Sequence, residues 1–336
     1  MGDLPLLRDI ADDAGTMCGR ATYGGNATIT SQVIHQISTA RSLINHLGHS
    51  GYRRGMASIT EIPPGKNRTV LVVVAHADDP TLFLGGTVAR WADSGWRVVV
   101  VRATDDRWDS WNLDEASTTA QNKQQFDKAM GILGVSHIVE LGWPTDSLGD
   151  ASELVIREQI IRQIRTHRPH TLVTFDPCSQ FAEDNEDHKM IARATDEAFW
   201  TSQFDKHHPE HFNEGLAPHG CFERWYFGRA VGEVTDVVDI SSTLSRKIEA
   251  ACTHQTMLVN YAHQLKLQAS TGGYDVPLLE EVLQSGNVQP LMEPLLRAGA
   301  SRTGEHYGLG AAEEFRVTRF GGLGVWLDRF GVTRTD

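Results

Sequence analysis

The sequence of this 336-residue chain predicts an α/β fold: a Rossmann-like, doubly wound, mostly parallel sheet with helices on both faces, an N-terminal extension and a C-terminal helical cap. Three observations carry that prediction. Between about 68 and 175, short β-branched runs alternate four times with stretches of helical periodicity. The links are short, so the strands lie parallel through right-handed crossovers and helices cover both sheet faces. The first runs are apolar at nearly every position, the pattern of strands buried on both sides.

Taken in order, residues 1–66 form the extension. Ile34, Ile37, Leu43, Ile44 and Leu47 are spaced like one helix face, and Pro63-Pro64-Gly65-Lys66 breaks the pattern. Thr69-Val70-Leu71-Val72-Val73-Val74-Ala75 is the first strand, followed by a helix over about 81–94. A second strand over 97–102, a helix over 117–133 and a third strand over 138–141 come next. The helix over 153–167 stops ahead of Arg168-Pro169, as the residue before proline disfavours helical geometry. Thr171-Leu172-Val173-Thr174-Phe175 is the fourth strand. The α/β domain is placed at 67–240. The region 241–336 reads as a cap with helices over 244–267 and 277–283, and a final strand around Glu313-Glu314-Phe315-Arg316-Val317 packed on the same domain.

Composition narrows the function. There are 31 basic and 43 acidic side chains, a net charge of −12, and no run of Lys and Arg, so a nucleic-acid partner or an anionic membrane surface is not expected. No 18-residue apolar stretch or signal-peptide core is present, which makes a soluble, cytoplasmic protein the expectation. The four cysteines, at 18, 178, 221 and 252, lie in no metal-clip or C-x-x-C spacing and read as reduced. Asn26-Ala27-Thr28 and Asn67-Arg68-Thr69 match a glycosylation triplet that matters only in a secreted chain.

In a doubly wound sheet the ligand site lies at the carboxyl ends of the strands, near the switch in strand order. Ala75-His76-Ala77-Asp78-Asp79-Pro80 follows the first strand; Asp176-Pro177 and then Asn185-Glu186-Asp187-His188 follow the fourth. Imidazole and carboxylate suit a divalent metal, and two His with one carboxylate leave a position open for water, the catalytic arrangement. Adjacent carboxylates on a tight loop point different ways, so one can coordinate while its neighbour faces substrate as a general base. The plain alternative is that Asp78 and Asp187 only cap the helices they precede. Two such clusters at the ends of two strands favour the metal.

These residues resemble the signatures of the PIG-L/LmbE-type zinc de-N-acetylases. The A-H-P-D-D signature stands here as Ala75-His76-Ala77-Asp78-Asp79 and the H-x-D-H signature as Asn185-Glu186-Asp187-His188. Met130-Gly131-Ile132-Leu133-Gly134-Val135, Leu141-Gly142-Trp143-Pro144-Thr145-Asp146 and, more weakly, the stretch from Asp239 to His254 extend the likeness over about 68–260. The resemblance implies Zn2+ held by His76, Asp79 and His188, with Asp78 as general base and Asp187 in the catalytic set. It also implies Asp146 near a sugar, and hydrolysis of an N-acetyl or related N-acyl amide on a sugar-like small molecule. Three departures stand out: Asn185 replaces the usual His, Pro80 a usual acid, and Asn122 and Gln125 a usual Arg and Glu. An amide cannot be a general acid, although it can donate to an oxyanion. Proton delivery to the amine then falls to Asp78 or His254.

Other candidates are weaker. Asp105, Asp106, Arg107 and Trp108 follow the second strand at the same sheet edge and read as substrate-binding, or as a solvated acidic loop. Cys178 reads as a small hydrophobe more readily than a thiolate ligand. His207, His208, His211 and His219 read as a polar loop more readily than a second metal site. The glycines at 308–310 and 321–324 lack a preceding strand and the dinucleotide spacing. The alternative functions are an amidase for a thiol conjugate or an acylated peptide or lipid, a metal-binding homologue without catalysis, and a nucleotide-dependent transferase. The last is disfavoured by the absence of a Gly-rich first loop. Homo-oligomerisation is left open.

Overall fold

The computed structural model describes residues 57–179 and 183–332; the helical spacing over 34–47 lies outside them. One sheet of eight strands dominates: β1 (Ser58–Ile59), β2 (Thr69–Val74), β3 (Arg97–Thr104), β4 (His137–Trp143), β5 (Thr171–Phe175), β6 (Glu223–Phe227), β7 (Asp236–Asp239) and β8 (Ala312–Arg319), in the order β1-β7-β8-β6-β5-β2-β3-β4. The pairs are parallel except those of β8, which runs antiparallel to both β6 and β7. The sheet is therefore the mostly parallel, doubly wound one that the sequence predicts. Residues 70–74 and 98–101 are fully buried, as strands covered on both faces must be.

Helices α1 (Asp79–Asp93), α2 (Glu115–Leu133), α3 (Glu153–His167) and α4 (Glu186–Thr201) are the crossovers. Their ends carry local signals. Asp114 accepts from the Ser117 amide at 2.8 Å to start α2, and Gly134, at φ 82, takes the left-handed conformation that ends it. The cap consists of α5 (Leu244–Cys252), α6 (Gln255–Thr271), α7 (Pro277–Ser285) and α8 (Gln289–His306).

Several elements differ from the sequence expectation. The single helix over 244–267 is two, because Thr253 turns its hydroxyl back onto the Ala250 carbonyl at 2.7 Å and closes α5. Strand β1 comes from within the stretch read as the N-terminal extension and pairs with β7. Strands β6 and β7 are short and begin with charged residues, which hides their apolar pattern. Helix α8 carries Pro290 in its first turn and Pro294 inside, both of which weaken a helical reading.

Helix α1, which begins at the site, is kinked: Leu84 has non-helical angles of φ −137 and ψ 20. The break leaves the Gly86 and Thr87 amides free, and both donate to the Glu313 carboxylate of β8, at 3.0 and 2.8 Å. Lys247 of α5 donates to the same carboxylate at 2.7 Å, with both side chains buried. Gly86 allows this approach, because a Cβ there would stand 2.6 Å from Cβ of Ile240. One carboxylate thus joins the cap, the last strand and the site helix. Removing its charge strands a buried ammonium, so Glu313→Gln is expected to lower stability by about 3–5 kcal/mol in urea melts. A loss below about 1 kcal/mol would show that this contact does not hold the kink.

Candidate metal centre

Strands β2 and β5 are neighbours in the sheet but not in the sequence, so their carboxyl ends flank a switch in strand order. The loop after β2 supplies His76 and Asp79; the first turn of α4, after β5, supplies His188. Nδ1 of His76 lies 3.1 Å from Nε2 of His188, and that Nε2 lies 3.2 Å from Oδ1 of Asp79. The other Asp79 oxygen, 3.8 Å from Nδ1 of His76, accepts from the Ala75 and His76 amides at 3.1 and 2.8 Å, which leaves Oδ1 free. Donors around a four-coordinate ion with bonds of about 2.0–2.1 Å stand about 3.3 Å apart, so this triad fits a divalent metal in both spacing and chemistry.

Carboxylates behind the imidazoles fix their roles. Nε2 of His76 is 3.3 Å from Oδ2 of Asp187, a carboxylate whose charge favours the proton on Nε2 and so leaves Nδ1 to the triad. Asp187 is itself held by the Asp146 and Leu148 amides at 2.7 and 2.9 Å. Nδ1 of His188 lies 3.0 Å from Oε2 of Glu183, within reach of its charge but out of line for a full hydrogen bond, and the ring stacks on Phe175 at 4.1 Å. Burial presses His188 down, yet Asp79 and Glu183 overcome it and push it up to about 9. The surrounding carboxylates thus favour positive charge at the imidazoles.

Asp78 occupies the position before α1 but its side chain makes no capping bond. It lines a cleft of about 700 Å³ beside the triad, together with Asp109, Asp146, Asn185, Arg229 and Tyr261. Burial and the neighbouring Asp79 push its carboxyl up to about 7. The cap at the second signature belongs to Asn185, whose Oδ1 accepts from the Asp187 and His188 amides at 2.9 and 3.3 Å. That bond settles the amide's orientation and leaves Nδ2 as a donor at the cleft. Asp187 is not a cap but a support for His76.

The structure does not bring the expected substrate loop to the cleft wall as a block. Asp105 pairs with Arg107, and Trp108 bonds Glu115 at 3.1 Å and is half exposed. Asp106 is fully buried, where it accepts from Arg102 at 2.7 Å, from Thr104 at 2.9 Å and from the Ala77 amide at 3.2 Å. It therefore braces the metal loop and has no face for substrate. Asp109, part of the same acidic stretch over 104–111, is the member of that loop at the cleft; burial pushes its carboxyl up to about 8.

His254 is fully buried at the start of α6, is not part of the cleft wall, and its ring nitrogens have no hydrogen-bond partner among the described residues. Burial lowers it to about 3, so it is a neutral imidazole. His211 pairs with Glu158 at 2.6 Å and Arg165 at 3.1 Å, and ligand atoms of His208 and Glu210 lie within 4.8 Å of its ring, close enough for the three to share an ion. Cys178 is exposed and stands clear of the triad. Tyr261, Arg229 and Glu183 were missed: each is an ordinary residue in its own segment and acquires a role only through the fold.

Residues 71–199 match the family model described as PIG-L: GlcNAc-PI de-N-acetylase. The chain is 28% identical over 159 residues to 1D-myo-inositol 2-acetamido-2-deoxy-alpha-D-glucopyranoside deacetylase of Mycobacteroides abscessus, covering 40% of this chain and 57% of that protein. It is 26% identical over 196 residues to diacetylchitobiose deacetylase of Thermococcus kodakarensis, covering 56% and 70%. Its fold is similar to that of N,N'-diacetylchitobiose deacetylase from Pyrococcus horikoshii, with a TM-score of 0.62 and 20% identity over 90% of this chain and 96% of that one. No described helix is long and apolar enough to cross a membrane.

If Asp187 sets the His76 tautomer, Asp187→Asn weakens metal binding by about 10–100-fold, measured by competition with a chromogenic chelator. Unchanged affinity in a folded variant would assign that task elsewhere.

Proposed function

We propose that this chain is a zinc-dependent hydrolase of an N-acetyl or closely related N-acyl amide on a sugar-like small molecule. The observation that carries the reading is the His76–Asp79–His188 triad with the carboxylate of Asp78, which makes no helix-capping bond, beside it. The family domain and the names of the relatives support an acetylated amino sugar as the substrate class.

Zinc at the triad would supply Lewis acidity to the amide oxygen and to water. The remaining work falls to the chain's own side chains. Asp78, free of the helix cap, takes a proton from the attacking water as the C–O bond forms. It holds that proton and delivers it to the nitrogen as the C–N bond breaks, giving acetate and an amine. A buried carboxyl raised towards neutrality suits both halves of that transfer. Nδ2 of Asn185 donates to the oxygen that gains negative charge, a contribution of a few kcal/mol when the donor is held in place, as its cap bond holds it here. Asp146 and Asp109 offer acceptors to substrate hydroxyls, and Leu82, Phe83 and Leu265 give the cleft an apolar side. His254 is too deep and too weakly basic to protonate the amine directly.

The decisive assay measures acetate and free amine released from N-acetylglucosamine glycosides by zinc-loaded protein. Asp78→Ala is expected to cut turnover by about 10²–10⁴-fold while zinc content stays unchanged. Undiminished turnover in that variant would remove Asp78 as the base. Release of longer acids in preference to acetate would favour the amidase reading.

A further inference from the structure

One hydroxyl at the cleft comes from neither family signature. Tyr261 stands on α6, beyond the matched residues 71–199, and its phenol lines the cleft. Its Oη donates to Oδ2 of Asp78 at 3.1 Å. Among the described residues this is the only side-chain hydrogen bond that the Asp78 carboxylate makes. That contact is unusual, because an Asp in this position normally folds back onto the first amides of its own helix. Here those amides turn elsewhere: Thr81 and Leu82 both donate to the Asp78 backbone carbonyl at 3.0 Å. The carboxylate therefore has two places to go, the helix start or the cleft, and Tyr261 is what draws it to the cleft.

We propose that Tyr261 is a positioning residue for the hydrolysis: its hydroxyl holds Oδ2 of Asp78, keeps the carboxylate from swinging back to cap α1, and leaves Oδ1 to face the reacting water. The inference rests on the proposed function for its kinetic consequence and on geometry alone for its structural one. Burial, with Asp78 and Asp109 nearby, pushes the phenol well above its ordinary value, so it stays a donor. The cap thus completes a site whose metal ligands lie entirely in the α/β region.

Tyr261→Phe keeps the ring and deletes only the donor. With N,N'-diacetylchitobiose as probe and zinc-loaded protein, kcat is expected to fall about tenfold or more, with KM within twofold and zinc content unchanged. Leu267→Ala, exposed on the same helix and away from the cleft, is expected to match the parent. A crystal structure of the Phe variant is expected to show Asp78 rotated onto the Thr81 amide. An unchanged kcat, or a rise in KM alone, would overturn the proposal, as would Asp78 staying in the cleft. If the parent protein releases no acetate or amine from any acetylated sugar, the proposed function fails, and the Asp78 conformation in the two crystal structures decides the positioning role by itself.

Discussion

The parallel pairing of β2 with β5 is the contact on which the rest depends. Its register, Val70 with Thr171, Leu71 with Leu172 and Val72 with Val173, brings together segments about 100 residues apart and aligns the points where both strands end. From there the chain has little freedom. The loop after β2 must turn at once into α1, and α4 starts with its first turn against that loop, so an imidazole from each meets a carboxylate from the first. Because both strands are buried, slipping the register by one residue would turn every side chain to the opposite face, which makes the alignment costly to disturb.

So many acids in a buried space would repel one another if all were equally free. The site divides them. Asp79, Asp106 and Asp187 each accept two or more hydrogen bonds from backbone amides, Arg102 or Thr104, and these carboxylates hold geometry. Asp78 and Asp109 have far fewer partners, and both are pushed into the neutral range. A carboxyl that is poorly solvated and poorly bonded is one that can carry a proton at working pH. The two sets of carboxylates thus differ in the count of hydrogen bonds, not in residue type.

That division also explains what could be read from the sequence. The four strands over 69–175 and the two metal clusters were legible because each is a local signal: an all-apolar run, or a dense set of ligand residues directly after one. The loop after β3 was legible as acidic but not in detail, since Asp106 adopts a left-handed φ of 54 that turns it inward while Asp109 three residues later reaches the cleft. Tyr261 gave no signal at all, because a tyrosine on a helix looks the same whether it meets solvent, core or the carboxylate of Asp78. Asn185 was noticed for what it replaced, but its hydrogen bonds to the helix start were needed to show which end of the amide is free. Strands β6 and β7 were hidden by charged residues at their ends, and α8 by its prolines.

The insertion of β8 between β6 and β7 has a bearing on how the chain is made. The sheet cannot close until residue 319 has left the ribosome, since the slot between those two strands is filled by β8. Until then β6 and β7 each present an unpaired edge, the kind of surface that invites association with a second nascent chain. A ribosome stalled ahead of Ala312 would hold an open sheet whose kinked helix α1 still lacks the carboxylate that braces it.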